Sequence, residues 1–242
     1  MTDPTFVDGA ADMRVRPRDA YARLRVAILS GELEAGRSYS QAVLSRELEV
    51  GRTPLREAIR RLQTEGLLES ELNRKIRVSP LDLTDLIQLY TVRITMESLA
   101  TRLSVPRLTS DDLQQLTELL AEHTRAGEAG EVELMEETHQ RFHELLTRHA
   151  GEKVHTAVIE LADHAERYRR QYYKSRAISL AHFQLALPEH GAVLDAAERG
   201  DAETASTLVA QHLARIAVTL TASIDGGFDT SDIQSALRMV AS

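Results

Sequence analysis

Two histidines four residues apart, His139 and His143, have the spacing in this sequence best suited to holding a metal ion. On a helix that spacing stacks two side chains on one face, and paired imidazoles there form a clamp for a divalent cation. Phe142 between them marks the face as inward. Such pairs also occur as structural or solvent-facing residues, so the spacing alone leaves both readings open. His190, in the first turn of a later helix, and His212, followed by Leu213 and Ile216 on an apolar face, favour the first reading. A bundle that packs these helices together would gather the four rings. Several inward imidazoles are costly to bury unless they share a ligand. The other five histidines attract plainer readings. His123, His149 and His155 fall near predicted helix ends or loops and read as exposed, and His164 reads as surface. His182, beside Phe183, opens a variable connection and reads either as pocket lining or as loop.

A second constellation lies at Val50-Gly51-Arg52-Thr53-Pro54-Leu55-Arg56-Glu57-Ala58-Ile59-Arg60. Thr53 reads as a helix cap and Pro54 as the first helical residue. Leu55, Ala58, Ile59 and Leu62 form the buried face, while Arg52, Thr53 and Arg56 stand at the exposed start. A helix entering a major groove N-terminus first needs this layout. Arginine can bond guanine in two places, and the free N–H groups of a first turn suit phosphate. Arg37 and Arg46, from the preceding segments, and Arg74, Lys75 and Arg77, at the tip of a predicted hairpin, extend the basic set. The hairpin cluster reads equally as a solvated basic loop. Arg60 and Arg61 read as surface partners of Glu57 and Glu65.

The elements that must position these residues follow from periodicity. Residues 1–15 read as a flexible arm. Residues 16–80 read as three helices and a two-stranded hairpin, Leu67–Glu69 with Ile76–Val78, the outline of a winged helix-turn-helix. Ser40 caps its second helix. Beyond Pro80 the chain reads as helix upon helix: Leu81 to about Leu103, 111–126, 132–149, 153–175, 188–199 and 202–223. Leu86, Ile87, Tyr90, Ile94 and Leu99 share one apolar stripe of the first. The expected fold is therefore mostly α, with a winged helix-turn-helix followed by an antiparallel bundle of six or seven helices over 81–227 and a tail at 228–242.

Composition narrows the function. The net charge is −8, yet Arg14 to Pro80 carries 14 basic and 9 acidic residues, and the remainder from Leu81 carries 15 and 25. A basic module on an acidic one suits a polyanionic partner. With no cysteine, disulfides, thiolate metal sites and cysteine nucleophiles are excluded. The first residues do not read as a secretory signal, no run of eighteen apolar residues suggests a membrane span, and the cytoplasm is the expected location.

Residues 51–68, Gly-Arg-Thr-Pro-Leu-Arg-Glu-Ala-Ile-Arg-Arg-Leu-Gln-Thr-Glu-Gly-Leu-Leu, resemble the recognition-helix signature of GntR-type regulators, and Gly31–Gly36 resembles the turn after their first helix. Two positions depart from the family: Gly51 stands where serine is usual, and Lys75 where the wing has glycine. Residues from about Asp82 to Ser223 resemble the FCD ligand-binding domain of the FadR-like branch, through Arg93-x-x-x-Glu97, Phe142-His143-x-x-Leu146, the segment from His190 to Asp201, and His212. The resemblance implies a homodimer that binds a palindromic operator on double-stranded DNA, with Arg52 and Arg56 reading it. It implies a small organic acid or sugar acid as effector, approached by Arg93, for which a plain ion pair with Glu97 is the other reading. It also implies a divalent metal ion as cofactor, held by three histidines and an aspartate whose place His139 takes here. An all-nitrogen set of His139, His143, His190 and His212 favours zinc or nickel over hard ions. A metal-sensing regulator and a metal-dependent hydrolase are the alternatives. The second lacks an evident general base and leaves the DNA-binding module unexplained.

Overall fold

The computed structural model describes residues 17–71, 75–172 and 176–241. It divides into two compact units that meet in sequence between Pro80 and Leu81. The expected arm and Arg74 lie outside the described residues.

The first unit contains α1 (Pro17–Leu29), β1 (Ser38–Ser40), α2 (Gln41–Glu47), α3 (Arg52–Thr64), β2 (Leu68–Ser70) and β3 (Lys75–Val78). Its core draws Leu24 and Ile28 from α1, Leu44 from α2, Leu55, Ile59 and Leu62 from α3, and Ile76 and Val78 from β3. Ser40 caps α2 by accepting from the Val43 N–H at 3.2 Å. The expected hairpin has a third strand. The antiparallel order is β1-β3-β2, with Tyr39 opposite Ile76 and Glu69 opposite Arg77. Thr53 is not the cap of α3. The helix begins two residues earlier, at Arg52 with Gly51 as N-cap, and Pro54 falls within the first turn. Proline is tolerated there because the first N–H groups of a helix have no intrahelical partner. The turn before α3 places Glu49 at φ 52°, a left-handed conformation that is costly for a residue with a Cβ.

Among the described residues the second unit is a bundle of seven α-helices: α4 (Leu83–Ser104), α5 (Ser110–Ala129), α6 (Val132–Thr147), α7 (Glu152–Tyr172), α8 (Arg176–Glu198), α9 (Ala202–Ile224) and α10 (Ser231–Val240). Helix α4 packs along α9 and also meets α6, α7 and α10. Their shared core includes Leu86, Tyr90, Ile94, Phe142, Tyr168, Leu213 and Leu220. Helix α9 is long and apolar enough to cross a membrane by length and composition, but half of that stretch is buried in the bundle. It is a core helix.

Residues 228–242, which the sequence leaves as a short extra helix or a loose tail, contain α10, which buries Ile233 and Ala236 against the bundle. Two expectations change here. The fifth bundle helix starts well before residue 188, with Pro188 inside α8 rather than at its start. Proline removes one interior hydrogen bond, and packing of α8 on α5 and α9 carries the helix through. Leu99, assigned to the apolar stripe, points outward at 44% exposure.

A capping box holds the start of α5. Thr109 accepts from the Asp112 N–H, and Asp112 accepts from the Thr109 N–H at 2.9 Å. The same carboxylate meets Arg148 at 3.0 Å and His149 at 2.9 Å. The Thr109 backbone N–H, helped by the Thr109 hydroxyl and His149, outweighs burial and holds Asp112 well below the usual carboxylate range. A carboxylate whose pKa is depressed on folding stabilises the fold above its unfolded pKa, about 3.9, and loses that contribution as pH falls. Asp112→Asn is therefore expected to lower stability by about 1–2 kcal/mol at pH 7. In denaturation curves taken across pH, the gap from the parent should close below about pH 4.

Candidate functional site

Helices α6, α8 and α9 bring the four expected histidines together. One ring nitrogen of each of His139, His143, His190 and His212 lies within 4.8 Å of all the others. The Nε2 atoms of His143 and His190 are 3.2 Å apart, and those of His139 and His212 are 3.4 Å apart. His143, His190 and His212 are buried, and His139 is half-buried. Burial, reinforced by neighbouring rings and by nearby arginines, depresses the pKa of His139, His143 and His190 well below the ordinary histidine value. Burial also lowers His212, against the opposing pull of Glu189. Neutral imidazoles are the form that ligates metal.

This donor set fits a divalent cation. Tetrahedral coordination at about 2.0–2.1 Å per nitrogen places ligand nitrogens roughly 3.4 Å apart, close to the two separations above. A carboxylate also orients one ring in the way metal-ligating histidines require: His212 donates from Nδ1 to Glu189 at 2.7 Å. That carboxylate is fixed in turn by Arg215. Two further nitrogens, His143 Nδ1 and His190 Nδ1, are buried without a hydrogen-bond partner.

Two small cavities flank the cluster and share His139 and Arg169 as wall. The first, about 50 Å³, is lined by His123, Glu136, Phe183, Arg215 and Ile216 among others. The second, about 30 Å³, is lined by Arg93, Glu97, His143, Val158 and Glu166 among others. Arg93 therefore reaches the site, but its Nε donates to Glu97 at 2.6 Å and its guanidinium lies 5.0 Å from the centre of the Tyr90 ring. The ion-pair reading describes it. Arg169 stands against the cluster, bound to Glu136 at 2.8 Å and Glu166 at 3.0 Å. Arg215 keeps a buried Nη1 without a partner.

Sequence reasoning missed His123. It is buried at 5% exposure, with Nδ1 2.9 Å from the Met135 carbonyl and its ring edge-on to Phe183 at 5.1 Å. Burial pushes its pKa down to about 4. The signal was present, because Leu116, Leu119, His123 and Ala126 recur at helical spacing on the buried face of α5. Arg169 and Arg215 carried no such signal, since arginine at those positions reads as surface. His149 and His155 are half-buried, not exposed. The side chain of His182 lies outside the described residues.

Phe183 closes the first cavity over Gly127 of α5. A Cβ at Gly127 would run into the Phe183 ring. Gly127→Ala is expected to cost about 1–3 kcal/mol in thermal or denaturant unfolding, because the ring must leave a packed position.

In the first unit the start of α3 exposes Arg52, Thr53 and Arg56. No acidic residue occupies its first turn. Among the described residues none of these three side chains has a hydrogen-bond or ion-pair partner. Arg46, in the last turn of α2, and Lys75, at the start of β3, are exposed as well. Arg37 is paired with Glu34 at 3.3 Å. Arg77 is half-buried and donates from Nε to the Gly36 carbonyl at 3.0 Å, so it also ties the sheet to the preceding turn. Arg61 lies over the Tyr21 ring at 3.7 Å and bonds Glu65 at 3.0 Å, a structural role.

A winged helix-turn-helix ahead of an all-helical domain is an architecture shared with bacterial regulators. Residues 17–78 match the model of bacterial regulatory proteins of the gntR family, and residues 88–215, more than half of the chain, match the FCD domain. The chain belongs to the GntR family, in the branch that carries an FCD domain. It is similar to the HTH-type transcriptional regulator YdhC of Bacillus subtilis, 28% identical over 128 residues. That match covers 52% of this chain and 57% of YdhC, so the chain spans little more than half the length of that relative. A probable D-xylose utilization operon transcriptional repressor of Paenarthrobacter nicotinovorans is 27% identical over 213 residues, covering 84% and 88% of the two chains. The solved structure of E. coli McbR/YncC shares the fold with a TM-score of 0.75 at 22% identity, over 84% of this chain and 96% of that one.

Proposed function

We propose that the chain is a ligand-responsive transcription regulator. It acts in the cytoplasm as a homodimer on a palindromic operator in double-stranded DNA. The observation that carries this reading is an unpaired, exposed Arg52–Arg56 helix start in the same chain as a largely buried four-histidine cluster beside a cavity lined by Arg169 and Arg215. Arg52 and Arg56 read base edges, Thr53 and the free N–H groups of α3 hold phosphate, and Arg37, Arg46, Arg74, Lys75 and Arg77 supply backbone charge. The printed name of the xylose-operon relative favours repression. The histidines hold a divalent metal ion, zinc or nickel, which supplies a cationic anchor for an anionic ligand.

The effector is a small organic acid. A cavity of about 50 Å³ holds only a few water-sized groups, which favours a short carboxylate over a sugar acid. Arg169 and Arg215 line that cavity and match an anion. Bound acid shifts the population between arrangements of the paired heads that fit the operator and arrangements that do not. A thermal-shift screen of short carboxylates and sugar acids, with and without chelator, followed by operator binding, tests this reading. A metal-dependent shift with a short carboxylate that also changes operator affinity supports it. No shift with any acid under either condition contradicts it.

The dimer face is α4. Between Asp85 and Arg102 its exposed and half-buried positions carry no charge, and Val92 and Leu99 are 47% and 44% exposed. About a two-fold axis near residues 93 and 94, an antiparallel copy sets Asp85 against Arg102, Gln88 against Leu99 and Val92 against Thr95. That is the self-complementary pattern of a two-fold interface. Leu99→Glu buries an unpaired charge against Gln88 of the partner copy at each end of the contact, and sedimentation should show a monomer. A dimer of unchanged strength would remove α4 from the interface.

A further inference from the structure

The four rings of the cluster are not equivalent, because their second nitrogens face different partners. Nη1 of Arg169 lies 3.1 Å from Nδ1 of His139. A guanidinium has only N–H groups to offer, so His139 Nδ1 must be the acceptor. A neutral imidazole carries one proton, and in His139 that proton is therefore on Nε2. His212 is the converse case. Its Nδ1 donates to Glu189, which leaves a lone pair on Nε2. The two Nε2 atoms, 3.4 Å apart, thus meet as donor and acceptor. Arg169 is not free to turn away, since Glu136 and Glu166 clamp it from two sides.

To ligate a cation through Nε2, His139 would have to surrender its only proton and become an anion. His212 offers its Nε2 lone pair without that cost, and the buried Nδ1 atoms of His143 and His190 have no hydrogen-bond partner that fixes them as acceptors. We propose that the metal is held by His143, His190 and His212, and that His139 is a positioning residue. Its Nε2–H, oriented by Arg169, bonds the oxygen ligand that completes the coordination shell. This rests on the metal and organic-acid reading above and deepens it. The fourth coordination position is open to the effector, and the ring beside it is a donor. The group recognised is an oxygen that accepts and carries negative charge, a carboxylate, with the unpartnered Nη1 of Arg215 lining the same cavity as a second donor.

The test uses zinc and acetate as probes on the full chain. X-ray absorption of the zinc-loaded parent should show three imidazoles and at least one oxygen. His139→Ala should keep one zinc per chain with affinity within about 3-fold of the parent. It should lose about 10-fold or more in acetate affinity, the worth of one hydrogen bond to a charged group. His139→Gln, whose side-chain amide presents an N–H, should recover most of that loss. His143→Ala should lose stoichiometric zinc. Four imidazoles in the parent shell, or a loss of zinc in His139→Ala as large as in His143→Ala, would overturn the assignment while leaving a histidine-bound metal in place. A parent that takes up no zinc would overturn both the assignment and the metal reading beneath it.

Discussion

Adding a chelator to metal-loaded protein is expected to lower the unfolding midpoint of the helical unit by roughly 8–16 °C, and His143→Ala should abolish the response to metal. The physical basis is linkage. A cation that binds the folded cluster but not the unfolded chain stabilises by RT ln(1 + [L]/Kd), about 4 kcal/mol at a thousand times Kd. For a domain of this size each kcal/mol moves the midpoint by about 2–4 °C. Without a cation the cluster is a poor source of stability. Four neutral rings are buried together, and His143 Nδ1 and His190 Nδ1 find no partner. Removing the His143 imidazole also removes one of those unsatisfied nitrogens, so the substitution costs packing but relieves a polar burden. The decisive readout is the loss of the metal-dependent increment, more than the midpoint of the metal-free variant. Calorimetric scans with zinc, nickel and magnesium check this. Zinc and nickel should raise the midpoint and magnesium should not, because protein ligands that are all imidazoles discriminate against hard ions.

The second large effect is expected at the start of α3. Arg52→Ala and Arg56→Ala should each weaken operator binding by about 1–3 kcal/mol, roughly 5- to 150-fold, and relax preference for the base each contacts. Both side chains are exposed and neither has an ion-pair partner among the described residues. Folding stability should therefore stay within about 0.5 kcal/mol of the parent. Arg46→Ala and Lys75→Ala should behave differently. They should weaken specific and non-specific duplexes alike and flatten the salt dependence, as expected of phosphate contacts. Arg61→Ala serves as the contrast. Its guanidinium is committed to Tyr21 and Glu65, so its effect should fall on stability. Competition binding at several salt concentrations separates the three classes.

Much of this was legible in the sequence because two strong periodicities coincide with the site. The α3 segment alternates buried Leu55, Ala58, Ile59 and Leu62 with exposed arginines, and that pattern needs no tertiary knowledge. The pair His139 and His143 sits on α6 beside buried Phe142 for the same reason. What failed was local chemistry overridden by packing. Strand β1 is three residues long, too short for alternation to register. Pro188 marked a helix start by its type but lies within α8, whose contacts with α5 and α9 sustain it. Leu99 has the hydrophobicity of a core residue and an outward position. A single chain cannot distinguish core from an interface with a second copy. Arg169 is the clearest limit. Its position against His139 depends on α6 and α7 meeting, and on Glu136 and Glu166 meeting the same guanidinium.

DNA reading by α3 under control of the bundle is tested most directly by fluorescence anisotropy of a duplex from the chain's own promoter region, against a scrambled duplex, at fixed salt. The metal-loaded protein is titrated with and without the short carboxylate that gives the largest thermal shift. A preference of about 1,000-fold or more for the promoter duplex is expected, sharply reduced when the acid is present. Equal binding to both duplexes in every metal and ligand state would contradict it.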